Sequence, residues 1–113
     1  MNLGEVLDVL TRVMGVPAEE VEEKIRWLIV GGLRVVEVDE ATGLEAGRLH
    51  AVHYDRRVRP LSMADCVALA VAANRGEALA TSDPAIVATA AEIGCAIVPL
   101  PDARGRRPAP PAG

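Results

Sequence analysis

Phenylalanine is absent from this chain, and its aromatic content rests on Trp27 and Tyr54 alone. That scarcity argues against modules that read single strands by stacking bases on aromatic platforms. Lysine is almost as scarce. Of twelve basic residues only Lys24 is a lysine, which leaves eleven arginines, and the net charge of −4 is not that of a general nucleic-acid binder. The planar arginine fork suits phosphate, although a codon bias toward Arg and Ala gives the same count. Cysteine is limited to Cys66 and Cys95, both inside apolar stretches and without CxxC or Cys/His spacing. Free buried thiols in a reducing, cytoplasmic setting are therefore expected, rather than a disulfide or a zinc site. Long apolar runs are missing too: the longest, Cys66 to Ala73, falls far short of the roughly 18 residues of a membrane span. With Glu5 and Asp8 near the start and no basic segment ahead of an apolar run, no signal peptide is expected.

Half of the 113 residues are hydrophobic, which sets the chain among globular proteins. Its size fits one domain that buries somewhat under ~68% of its unfolded surface. Leu3, Val6, Leu7, Leu10, Val13 and Met14 recur at helical spacing, and Gly15 closes that helix. Pro17 suits the first position of a second helix, whose early acids Glu19, Glu20, Glu22 and Glu23 favour its dipole and which runs to Gly31-Gly32. Arg34 to Val38 is short and β-branched and predicts a strand. Asp39 is placed to cap a helix from about Glu40 to Arg57. The apolar segment from Ser62 to Arg75 predicts a helix stopped by Gly76. A short strand follows at Ala78 to Thr81, then a helix from Pro84 to Ile93 stopped by Gly94, and a last strand at Cys95 to Leu100. This alternation indicates βαβ units and a mainly parallel sheet. The expected division is a domain over residues 1–101 and a Pro/Arg-rich tail over 102–113.

Three acids stand where helices should begin: Glu5, Asp65 in Leu61-Ser62-Met63-Ala64-Asp65, and Asp83 in Thr81-Ser82-Asp83-Pro84. In an open α/β sheet a helix that follows a strand starts at the strand's carboxyl end, so such acids can meet along one crevice. Hard oxygen ligands there suit Mg²⁺ or Mn²⁺. Each acid also has an ordinary role. Ser62 to Asp65 fits a capping box, Asp83 before Pro84 fits a helix cap, and Glu5 favours a helix dipole. His50 and His53 are spaced for shared metal ligation, but no third ligand is evident, and helix-surface histidines are the expectation.

The segments Asn2-Leu3-Gly4-Glu5-Val6-Leu7, Arg59-Pro60-Leu61-Ser62-Met63-Ala64-Asp65 and Thr81-Ser82-Asp83 together resemble the PIN-domain ribonucleases, and within them the VapC-type toxins of bacterial toxin–antitoxin pairs. The similarity covers residues 1 to about 101. It implies a three-layer α/β/α fold and Mg²⁺- or Mn²⁺-dependent endoribonuclease activity. Glu5, Asp65 and Asp83 become the catalytic, metal-holding acids, supported by Asn2, Ser62 and Thr81. The partners it implies are an RNA substrate, a cognate antitoxin and a second copy in a homodimer, and no membrane. Arg56, Arg57 and Arg59, just ahead of the Asp65 helix, are candidate RNA-phosphate contacts.

The sequence departs from the family's pattern at its start. The family's first acid ends an N-terminal strand in a segment reading Asp-Thr/Ser-x-x-Leu, and no such segment precedes Glu5. An N-terminally truncated fold is thus the expectation, with little or no nuclease activity from the chain as given. The alternative, of a different class, is a catalytically silent PIN-like module that binds protein partners. A third is an unrelated small α/β protein whose acids only cap helices.

Overall fold

The first N–H groups of a helix have no intrahelical acceptor, and here short side chains supply several of the missing partners. The computed structural model describes residues 3–109 and divides into two compact units, 1–37 and 38–113. Asn2, expected to support the site, lies outside the described residues.

In the first unit, α1 (Leu3–Asp8) runs straight into a π-helical turn at Val9–Val13. Met14 N–H donates to Val9 O at 3.1 Å and Val16 N–H reaches back to Leu10 O at 2.9 Å, so the segment winds wider than an α-helix. Pro17 stands one position earlier than expected: it caps α2 (Ala18–Val30), and its carbonyl accepts from Glu20 and Val21 N–H. Val21 is buried, while most of the apolar side chains later in α2 are exposed.

The strand expected at Arg34 to Val38 does not form. Those residues are irregular, and Val35, Val36 and Val38 are exposed. β-Branched residues favour a strand only where a neighbouring strand and a buried face receive them. Among the described residues the regular sheet holds only two strands.

In the second unit, the Asp39 carboxylate accepts from Thr42 N–H at 2.8 Å and opens α3 (Glu40–His53). That bond holds Asp39 below the ordinary carboxylate pKa. α3 ends at His53, short of the expected Arg57, because Asp55 accepts from Val58 and Arg57 N–H and bends the chain into a turn. α4 (Met63–Arg75) opens on a reciprocal capping box and closes at Gly76, whose φ of +63° suits a residue without Cβ. β1 (Leu79–Thr81), α5 (Pro84–Ile93) and β2 (Ile97–Pro99) then form a βαβ unit, with Leu79, Ala80 and Thr81 in parallel register against Ile97, Val98 and Pro99. The expected α/β class with a parallel sheet is present, although both strands are shorter than the sequence suggested. Beyond β2, Asp102 accepts from Arg104 and Arg106 N–H and holds a local turn.

The core of this unit packs α3, α4 and α5 with small side chains. Ala46, Ala70, Ala90, Cys66 and Leu69 are fully enclosed. Both thiols are free, and burial pushes their pKa values up. A second fastening lies outside the core. The two terminal nitrogens of Arg59 donate to the Glu92 carboxylate at 2.7 and 2.9 Å, and His53 Nδ1 lies 2.9 Å from the same group. These contacts, the Arg59 hydrogen bonds above all, hold Glu92 down to about 2. Glu92 is half exposed, so solvent screening keeps the clamp modest.

Leu69→Ala is expected to lower the stability of the unit by about 2–5 kcal/mol, since it empties a closed site. Urea unfolding should show the loss as a lower midpoint at an unchanged m-value. The clamp carries a pH signature. A carboxylate lowered by folding stabilises the native state above its unfolded pKa, and this gain disappears as pH falls through the folded value. Wild type should therefore melt above Glu92→Gln at pH 6, and the difference should vanish between pH 4.5 and about 2.

Candidate functional site

α4 and α5 each begin with an acid whose carboxylate is half committed to the backbone. Ser62 Oγ accepts from Asp65 N–H at 3.0 Å, and Asp65 Oδ2 accepts from Ser62 N–H at 2.9 Å. The reciprocal bonds fix the Asp65 rotamer. Among the described residues nothing donates to its Oδ1. Asp83 stands just beyond the carboxyl end of β1, at the helix-opening end of a βαβ crossover. Its Oδ1 accepts from Ala85 N–H at 2.8 Å, and its own N–H donates to Thr81 Oγ1 at 3.0 Å. Thr81 is buried at the strand end and sets the backbone from which Asp83 projects. Asp83 Oδ2 also has no protein partner among the described residues. Both acids are partly buried.

Glu5 lies in the first turn of α1 and is exposed. It belongs to the first unit, whereas Asp65 and Asp83 belong to the second. Among the described residues no group of three His, Cys, Asp or Glu side chains is assembled to hold a metal ion. Neither histidine joins a metal-binding group among the described residues, and both are partly buried, the His53 side chain to only 14% exposure. His50 stacks on Tyr54 with ring centroids 4.6 Å apart, and His53 turns to Glu92.

The three arginines ahead of α4 divide. Arg59 is taken by Glu92, while Arg56 and Arg57 are exposed and make no ion pair among the described residues. No local signal in the sequence marks Glu92, which stands 33 residues from Arg59 in an ordinary helix.

Among the described residues no helix is long and apolar enough to cross a membrane. No curated protein and no solved structure matches the chain. The PIN domain family does match, over residues 1–92. That stretch takes in Glu5, Ser62, Asp65, Thr81 and Asp83, and PIN nucleases bind RNA and generally use divalent metal ions. With the match spanning well over half of its length, the chain belongs to the PIN domain family.

Proposed function

We propose that this protein is a divalent-metal-dependent endoribonuclease of the VapC toxin type. In this reading Asp65 and Asp83, with Glu5, are its metal-holding acids, residues 1–101 are the nuclease domain and 102–113 its tail. The observation that carries it is the shared state of Asp65 and Asp83. Each heads a helix, gives one carboxyl oxygen to the cap and keeps the other outside it. A hard anionic oxygen held in a fixed rotamer is the donor that Mg²⁺ or Mn²⁺ prefers. When bound, such an ion activates a water for attack and offsets charge on the scissile phosphate.

The chain's own residues supply the positioning. Ser62 locks Asp65 through the capping box, and Thr81 fixes the Asp83 backbone through its hydroxyl. Both side chains lie at the N-terminal ends of their helices, α4 and α5.

Partners of a toxin belong to this reading as well. Trp27 and Val30, one helical turn apart on α2, are 74% and 89% exposed. Apolar side chains left in water on one helix face suit a protein partner, either an antitoxin or a second copy. Light scattering over a concentration series is expected to show a dimer that Trp27→Glu converts to monomer.

Metal uptake tests the acids directly. The 113-residue chain should bind Mn²⁺ saturably by titration calorimetry. The Asp65→Asn/Asp83→Asn double variant should lose that binding with little change in melting, because Asn still accepts the capping bonds. Equal uptake by the double variant would mean that the acids only cap helices.

A further inference from the structure

The connection between α3 and α4 is built as a rigid turn. Asp55 and Arg59 face each other as an antiparallel bridge, each N–H donating to the other's carbonyl at 2.9 Å. Inside the turn, the Asp55 carboxylate accepts from Arg57 N–H at 2.8 Å and Val58 N–H at 3.0 Å. Three parts of the second unit hold its base. His53 at the end of α3 and Arg59 both meet Glu92 of α5, and Leu61 is buried in the core just before α4.

What this base holds up is two adjacent arginines. Arg48 and Arg75, on α3 and α4, each pair with a carboxylate, as Arg59 does. Arg56 and Arg57 have no such partner among the described residues, and both are exposed. The one acid of the turn, Asp55, is spent on backbone N–H groups, and no other acid occurs between it and Asp65. Only Pro60 and Leu61 separate Arg59 from Ser62, which caps the helix that carries Asp65.

We propose that residues 55–59 form a phosphate-binding turn for single-stranded RNA, with Arg56 and Arg57 as its contacts and Arg59 as a positioning residue tied to Glu92 and His53. This rests on the ribonuclease reading of Asp65. Arginine forks match phosphate oxygens in pairs, and such contacts set the register of a strand without reading its sequence. A turn fixed in advance spares the ordering cost that a flexible loop incurs on binding. Arg59 has both terminal nitrogens engaged by Glu92, so its part is to orient its neighbours.

Fluorescence anisotropy of a labelled oligouridylate with the full chain, in EDTA over a KCl series, reads binding apart from cleavage. Arg56→Gln/Arg57→Gln is expected to weaken binding by about tenfold or more. The slope of log K against log salt should also fall by about 0.7 for each phosphate that is no longer neutralised. Glu92→Gln separates positioning from direct binding by sign. It removes a negative charge and releases Arg59, so a direct Arg59–phosphate contact demands tighter binding, whereas a positioning role demands severalfold weaker binding. Circular dichroism at the assay temperature confirms that each variant is folded. An unchanged salt slope in the double arginine variant overturns the phosphate-binding turn, and tighter binding by Glu92→Gln overturns the positioning role of Arg59; either result leaves the acids untouched if Mn²⁺ uptake still depends on Asp65 and Asp83. A wild-type chain that takes up neither Mn²⁺ nor RNA overturns both readings.

Discussion

A helix begins with N–H groups that its own carbonyls cannot reach, and much of the second unit follows from how this chain meets that demand. Asp39, Ser62 with Asp65, and Asp83 supply acceptors at the starts of α3, α4 and α5. Capping fixes more than a helix boundary. It sets the side-chain rotamer and the direction of the second carboxyl oxygen, and it places negative charge where the macrodipole favours it. The two acids of this unit proposed to hold metal are thus oriented by the same bonds that start their helices.

Between those helix starts the packing is built from small side chains. With no phenylalanine, the core relies on Ala46, Ala70 and Ala90 to admit their neighbours, and on Leu69 and Cys66 to fill the space. The two strands are short, so their ladder contributes few hydrogen bonds. The Arg59–Glu92–His53 clamp links α3, α5 and the turn from outside the core, where neither the alanines nor the strands reach. It is partly exposed, and its value lies in geometry more than in stability.

How far the sequence discloses this arrangement depends on the range of the interaction. The ends of α4 and α5 could be read directly, because Ser62, Gly76, Asp83, Pro84 and Gly94 act on groups within a few residues of themselves. The parallel β1–β2 pair followed from the strand–helix–strand alternation. Residues 34–38 misled, since their β-branched composition states a preference that only a neighbouring strand can realise. α3 overran its true end because Asp55 reads as one more surface acid until its two turn bonds are seen. Glu92 gave no sign at all, as its partners are brought to it by folding. At the candidate site, the capping roles of Ser62, Asp65 and Asp83 could be read as motifs, whereas the pairing of Arg59 with Glu92 could not.

Positions 65 and 83 make different demands for folding and for metal. At the N-cap position 83, Asp, Asn and Ser all offer an oxygen that accepts from N–H at similar stability, within about 1 kcal/mol, and at position 65 Asn keeps the oxygen that accepts from Ser62 N–H. A divalent cation needs anionic charge, which the neutral amide and hydroxyl lack. The fold therefore tolerates substitutions at these positions that a metal site does not. Thr81 differs from both acids: its hydroxyl is buried against the Asp83 backbone, so its removal disturbs the helix start and the direction of the acid together.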